Sequence, residues 1–216
     1  CIQFIPLTDL SQEGRNVLAS TSWMAIWWIL EAIPIAATAL LPIILFPVTN
    51  AVSISNTTAA YGHKYIFLYL GGFLIAIAIE RWNLHKRIAL NIISAIGTKI
   101  NLIILGFMIA TAFLSMWISN TATSVMMLPI AVAIIKQLED NPSTEINENT
   151  QFGKALLLSI AYSASIGGVA TIIGTPPNLV LAGVIESNFG YEISFFKWFI
   201  FGFPISMIIL FICWKY

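Results

Sequence analysis

The chain has 216 residues, of which 58% are hydrophobic and 9% charged; ten basic residues balance ten acidic ones, and the mean hydropathy is +0.88. A soluble domain carries about 25% charged residues, so this composition cannot cover a water-facing surface and excludes an ordinary soluble globular protein. The zero net charge gives no footprint for nucleic acid and no polybasic membrane anchor, and Cys1 and Cys213 have neither metal-site spacing nor enough partners for a disulfide framework.

Residues 1–16 are mixed, with Pro6, Asp9, Glu13 and Arg15 before the first apolar run; Ile2, Phe4, Ile5 and Leu7 read as the tail of an earlier span. A start at Cys1 without Met reads as a fragment or trimmed chain, because a lipobox-type acylated cysteine would follow a signal peptide. The run from Val17 to Phe46 is too long for one straight span and contains Pro34, Pro42 and Pro47. Proline removes a backbone hydrogen bond and kinks a helix, so the pattern predicts one helix to about Ile33 and a bent continuation. Glu31 sits near the bend. An ionisable residue inside a span is a functional candidate, but Trp27 and Trp28 beside it favour a helix end at the membrane interface. A polar loop is expected from Thr49 to Lys64, and its Ser55-Asn56-Thr57 triplet, near no helix break, is given no role. The next span runs from Tyr65 through Gly71 and Gly72 to Glu80.

Residues 80–98 change character. Leu84, Ile88, Ile92 and Ile96 recur every four residues, with Arg81, His85, Lys86 and Arg87 largely off that stripe. The pattern predicts an amphipathic helix along the membrane surface. With Lys99, the stretch holds four of the ten basic residues, which places it in the cytoplasm. Two apolar flanks follow, Ile100 to Phe113 and Val125 to Ile135, each shorter than the roughly 20 residues a spanning helix needs. They enclose Ser115-Met116-Trp117-Ile118-Ser119-Asn120-Thr121, which predicts a re-entrant hairpin over 99–135 with a polar tip. Residues 136–153 read as a solvated cytoplasmic loop. From 154 to 186, two helical pieces (Ala155–Ser165 and Leu179–Ile185) flank Gly167, Gly168, Gly174, Pro176 and Pro177, which predicts a broken helix. Residues 187–216 hold the last span.

Broken helices at membrane depth are tolerated where their freed backbone groups line a cavity, and they are the best sequence pointer to a transporter's binding site. Ser, Asn and Thr at the tip offer neutral oxygens for a hard cation and hydrogens for a carboxylate. Helix N-termini add partial positive charge for an anion. No Arg or Lys lies in either break, so a bound dianion would need dipoles and co-bound cations. The alternative is that these hydroxyls bond only to the preceding turn or glue helices together.

At these residues the sequence resembles the N-terminal half of the divalent anion–sodium symporter family, which includes dicarboxylate, citrate and sulfate carriers. The matching stretches are Trp27–Ile35, Leu70–Leu74, Glu80–Leu90, Ser115–Thr123 and Gly174–Asn178, in the family's order. The resemblance implies an all-α polytopic membrane protein, with one inverted repeat that carries a re-entrant helical hairpin and a broken transmembrane helix. It implies sodium ligation by Ser115, Ser119, Asn120 and Gly174, and contact with a substrate carboxylate by Ser119, Asn120 and Thr121, with Thr175 and Pro176 as the nearby wall. It further implies residues 1–79 as scaffold, a second repeat completing the site, a homodimer in the inner or plasma membrane, and elevator-like movement. Three functions stay open: sodium-coupled dicarboxylate transport, a sulfate or citrate carrier or sodium-independent exchanger, and an intramembrane enzyme. The last lacks a nucleophile–base pair or metal-ligand spacing, since His63 and His85 lie in loop and surface stretches.

Overall fold

The computed structural model describes residues 10–97, 99–139 and 146–216, all of them in helices or short connections. The readings of residues 1–9 as the end of an earlier span, and of 140–145 as loop, fall outside the described residues. The chain divides into two units, Cys1–Phe67 and Leu68–Tyr216.

In the first unit, α1 (Gln12–Leu30) starts at an N-cap, where Ser11 Oγ accepts a hydrogen bond from the Gly14 N–H at 3.1 Å. It stops at Glu31, whose φ of 48° is left-handed. That conformation costs a non-glycine residue roughly 1–2 kcal/mol, so Glu31 acts as a helix cap. The bent continuation predicted after it consists of two short helices, α2 (Ile35–Leu40) and α3 (Pro42–Val48). Buried Asn16 holds α1 to the end of α3 by donating from Nδ2 to the Thr49 carbonyl at 2.6 Å. The expected polar loop is partly helical. Ser53 caps α4 (Ile54–Tyr61), so Ser55-Asn56-Thr57 lies in a helical first turn. The cue lay in the cap, three residues before the amide it satisfies.

The helix α5 (Lys64–Arg81) crosses the boundary between the units. In the second unit it leads through Asn83, at φ 52°, into α6 (Leu84–Ile96). Then come α7 (Ile100–Ser115), α8 (Asn120–Glu139), α9 (Ile146–Val169), α10 (Pro176–Phe189) and α11 (Phe195–Lys215). The core joins α6 to α9: Ala89, Phe107, Ala110, Leu114, Met127, Ala131, Leu156 and Ile160 form one buried cluster. Lipid tails are as apolar as leucine, so helices in a bilayer associate through close packing and hydrogen bonds rather than expulsion from water. Small residues serve that packing: a Cβ on Gly106 would lie 3.1 Å from the Ile93 backbone, and one on Gly153 would meet Ile135 at 3.5 Å. On its other side α7 meets α11, with Met108 and Ala112 against Leu210. Trp214 Nε1 donates to the Asn101 carbonyl at 3.1 Å.

Among the described residues, three helical stretches are long and apolar enough to cross a membrane: Ile54–Arg81, Gln151–Val169 and Phe195–Lys215. Several sequence expectations change. The surface helix loses Glu80 and Arg81 to α5, and its buried side is His85, Ala89 and neighbouring isoleucines, packed on α7. His85, read as a surface residue, is 3% exposed, and its Nδ1 lies 3.4 Å from the Ile79 carbonyl, one of the orphan acceptors at the end of α5. The flanks of the polar turn are longer than 11–14 residues, with 16 in α7 and 20 in α8. At about 1.5 Å per residue, α7 reaches roughly 24 Å, short of the roughly 30 Å core, while α8 is near it. Residues 136–153 are not simply loop, because α8 continues to Glu139 and α9 begins at Ile146. Polar residues at helix ends read as loop when only the apolar stretch is followed.

Candidate functional site

The two chain interruptions lie side by side. In the first, α7 ends at Ser115 and α8 begins at Asn120. The Met116, Trp117 and Ile118 amides turn back onto the Ala112 and Leu114 carbonyls at 3.0–3.2 Å. Ser119 caps α8: its Oγ accepts from the Ala122 N–H at 3.3 Å and its carbonyl from the Thr123 N–H at 2.9 Å. Asn120 and Thr121 therefore supply the remaining amide donors of that first turn, at the positive end of the helix dipole. Thr121 is exposed, and Ser119 and Asn120 are half-buried.

The second interruption runs from Ala170 to Thr175, narrower than the glycine count suggests. Gly167 and Gly168 sit inside α9, where their missing side chains allow contact. A Cβ on Gly167 would lie 2.6 Å from Ala112 Cα, and one on Gly168 would meet the Asn120 amide, 3.0 Å from Nδ2. Glycine disfavours a helix by only about 1 kcal/mol, which tertiary packing overrides here. The break itself comes from Pro176 and Pro177 at the start of α10. Both lack an N–H, so Asn178 N, bonded to the Thr175 carbonyl at 3.1 Å, is the first amide donor of α10.

Hydrogen bonds join the two breaks. Ser115, fully buried, places its Oγ 2.7 Å from both Asn120 Oδ1 and the Ala164 carbonyl of α9. A hydroxyl has one hydrogen, so it donates to one of these oxygens at a time. Buried Thr171 donates its hydroxyl to the Met116 carbonyl at 2.6 Å. Asn178 Nδ2 donates to the Gly168 and Thr171 carbonyls at 3.0 and 2.8 Å, and Trp198 Nε1 of α11 donates to the Val169 carbonyl at 2.9 Å. Trp117 stacks on Phe195 at 6.2 Å.

Of the residues singled out from sequence, Ser115 and Asn120 are in direct contact. Gly174 is buried beside Gly168, which itself touches Asn120. Ser119 serves as the α8 cap, Thr175 is the extended residue before α10, and Pro176 is exposed at its first position. Sequence reading missed Ala164, Thr171 and Trp198 and gave Asn178 no role. Asn178 had a signal, as a polar residue in the first turn after two prolines; the others had none before the packing was known. Among the described residues no group of three or more His, Cys, Asp or Glu could hold a metal. The ligands on offer are neutral hydroxyl, amide and carbonyl oxygens, which suit a hard cation.

Described residues that are all helix or short connection, with several apolar helices and two interruptions meeting at a buried polar junction, define a polytopic membrane protein. The sequence matches the model of the citrate transporter family over residues 25–216, and the chain belongs to that family; with its apolar helices it is an integral membrane protein of the plasma membrane. It is also similar to curated proteins named sodium-dependent dicarboxylate transporter SdcS. One, from Staphylococcus saprophyticus subsp. saprophyticus, is 52% identical over 210 residues, and one from Staphylococcus aureus strain USA300 is 51% identical over 210 residues. Each match covers 96% of this chain but 40% of the relative, so the chain spans well under half the length of these proteins.

Proposed function

We propose that this chain supplies one half of a sodium-coupled transporter for dicarboxylates of the succinate, malate and fumarate type. The observation that carries the reading is the junction of Ser115, Asn120 and the Ala164 carbonyl beside the α9–α10 break. The printed names of the relatives supply the ion and the substrate class. In this reading Ser115, Ser119, Asn120 and the Gly174 carbonyl bind sodium. Ser119, Asn120 and Thr121 receive a substrate carboxylate at the positive end of α8, and Thr175 and Pro176 wall it. Neutral oxygens hold the cation, and the cation offsets the dianion's charge at two breaks that contain no lysine or arginine. That dependence is the physical basis of coupling, because each ligand binds better once the other is in place.

Residues 99–135 act as a re-entrant hairpin and 154–186 as the broken helix of the moving domain. Residues 1–79 serve as scaffold, 80–98 as the connecting arm, 136–153 as the cytoplasmic connection, and 187–216 as the last span. A second repeat completes the site, and the protein works as a homodimer by elevator-like alternating access. It is a transporter and not an enzyme, with the bilayer and a small anion as partners and no nucleic acid. The description of the matched family favours citrate as a second substrate reading. The test is uptake of labelled succinate and citrate by the full-length protein in proteoliposomes, with and without an inward sodium gradient. Sodium-dependent succinate uptake is expected, whereas succinate uptake indifferent to sodium would contradict the coupling.

A further inference from the structure

We infer that Thr171 and Asn178 are positioning residues that set the geometry of the cation-binding oxygens, an inference that rests on the sodium-coupled reading above. A helix break frees several carbonyls at once, and each competes for a cation unless something else bonds it. Here three of them are engaged by side-chain donors. Asn178, only 7% exposed, uses Nδ2 on the carbonyls of Gly168 and Thr171, on the two sides of the end of α9. Trp198 engages Val169 between them. Each carbonyl so held has one lone pair fewer to offer an ion and is fixed in direction, and so is the backbone that leads to Gly174.

Thr171 then carries the constraint across to the other break. It is fully buried, and its hydroxyl donates to the Met116 carbonyl at 2.6 Å. Met116 follows Ser115 directly, and Ser115 Oγ is the atom set between Asn120 Oδ1 and the Ala164 carbonyl. A continuous path therefore runs from the Asn178 amide through the Thr171 carbonyl and hydroxyl to the residue beside Ser115. Gly168, bonded to Asn178, is also the residue whose missing side chain leaves room for Asn120, and the open Cα face of Gly174 lies against the Gly168 backbone. Neither Thr171 nor Asn178 needs to touch the ion. They decide where the oxygens that touch it stand, as outer-shell partners do at other metal sites.

Thr171→Val is the decisive variant, because it keeps the branched shape and removes only the hydroxyl. Sodium-dependent succinate uptake is measured in the full-length protein, with Thr171→Ser as the conservative comparison and Asn178→Ala as the second variant. Loss of an outer-shell partner typically weakens ion affinity by about 10-fold or more. The half-saturating sodium concentration is therefore expected to rise by about that factor in Thr171→Val and Asn178→Ala. The succinate KM at saturating sodium should stay near wild type, and Thr171→Ser should restore the sodium response. Wild-type sodium half-saturation in whichever of Thr171→Val or Asn178→Ala folds would overturn the inference. So would an equal shift in Thr171→Ser and Thr171→Val, or loss of folded protein in both variants, since either assigns the pair to stability alone. Wild-type succinate uptake that ignores sodium would instead overturn the transport reading on which the inference rests.

Discussion

Replacing Gly167 by alanine adds one methyl group where α9 touches α7. The new Cβ would lie 2.6 Å from Ala112 Cα and 2.7 Å from its carbonyl carbon, against a comfortable contact beginning at 3.4 Å. The obstructing atoms are backbone, the Ala112 carbonyl oxygen nearest of all, so no rotamer change relieves them, and the helices must separate locally by at least about 0.8 Å. That movement would stretch the 2.7 Å contact between Ser115 Oγ and the Ala164 carbonyl to about 3.5 Å, at the limit of a hydrogen bond. Gly153→Ala is the matched control on the same helix, because its Cβ would meet Ile135 side-chain atoms at an ordinary 3.5 Å. Both variants gain the same helix propensity, about 1 kcal/mol, so their difference isolates the packing. Overpacking typically costs about 1–3 kcal/mol, and Gly167→Ala should be less stable than Gly153→Ala by that amount. Thermal unfolding of the two purified full-length variants, side by side in one detergent, reads the order. A midpoint for Gly167→Ala equal to or above that of Gly153→Ala would refute the close approach of α7 and α9.

Asn120→Ala should abolish sodium-dependent uptake while leaving the size-exclusion profile of the protein intact; uptake at the wild-type rate would remove Asn120 from the site. Trp198→Phe strips a donor from the Val169 carbonyl and should lower stability by about 0.5–1.5 kcal/mol, checked by the thermal midpoint against wild type. Asn16→Ala cuts the bond that holds α1 to Thr49 and should cost a similar amount, about 1 kcal/mol. An unchanged midpoint would mean that this bond contributes nothing net.

The apolar helices and both interruptions were legible because they are written in composition and in proline. Pro34 and Pro42 bound α2 and start α3, and Pro176 and Pro177 start α10 where the chain must turn. Glycine is less readable. Gly167 and Gly168 look like helix breakers along the chain, yet in three dimensions they stay helical and admit neighbouring backbone and the Asn120 side chain. Their meaning depends on what lies opposite, which a single strand of sequence does not display. The same limit hid Thr171 and Ala164, whose partners are 55 and 49 residues away. His85 failed for a related reason: its charged neighbours Lys86 and Arg87 suggested a wet face, while the helical turn points it inward. Ser119 and Asn120 stand out in the sequence, but adjacent letters conceal different local duties, since one caps α8 and the other meets Ser115.

In the proposed mechanism the two breaks form one site in which cation and dicarboxylate depend on each other. The most direct measurement is succinate-induced thermal stabilisation of the full-length protein in sodium and in choline, repeated with Asn120→Ala. Binding to the native state raises stability by mass action, and coupling makes the succinate effect depend on the ion. Succinate should raise the midpoint in sodium but not in choline, and the effect should vanish in Asn120→Ala. Equal stabilisation in both salts, or full stabilisation in Asn120→Ala, would contradict the account.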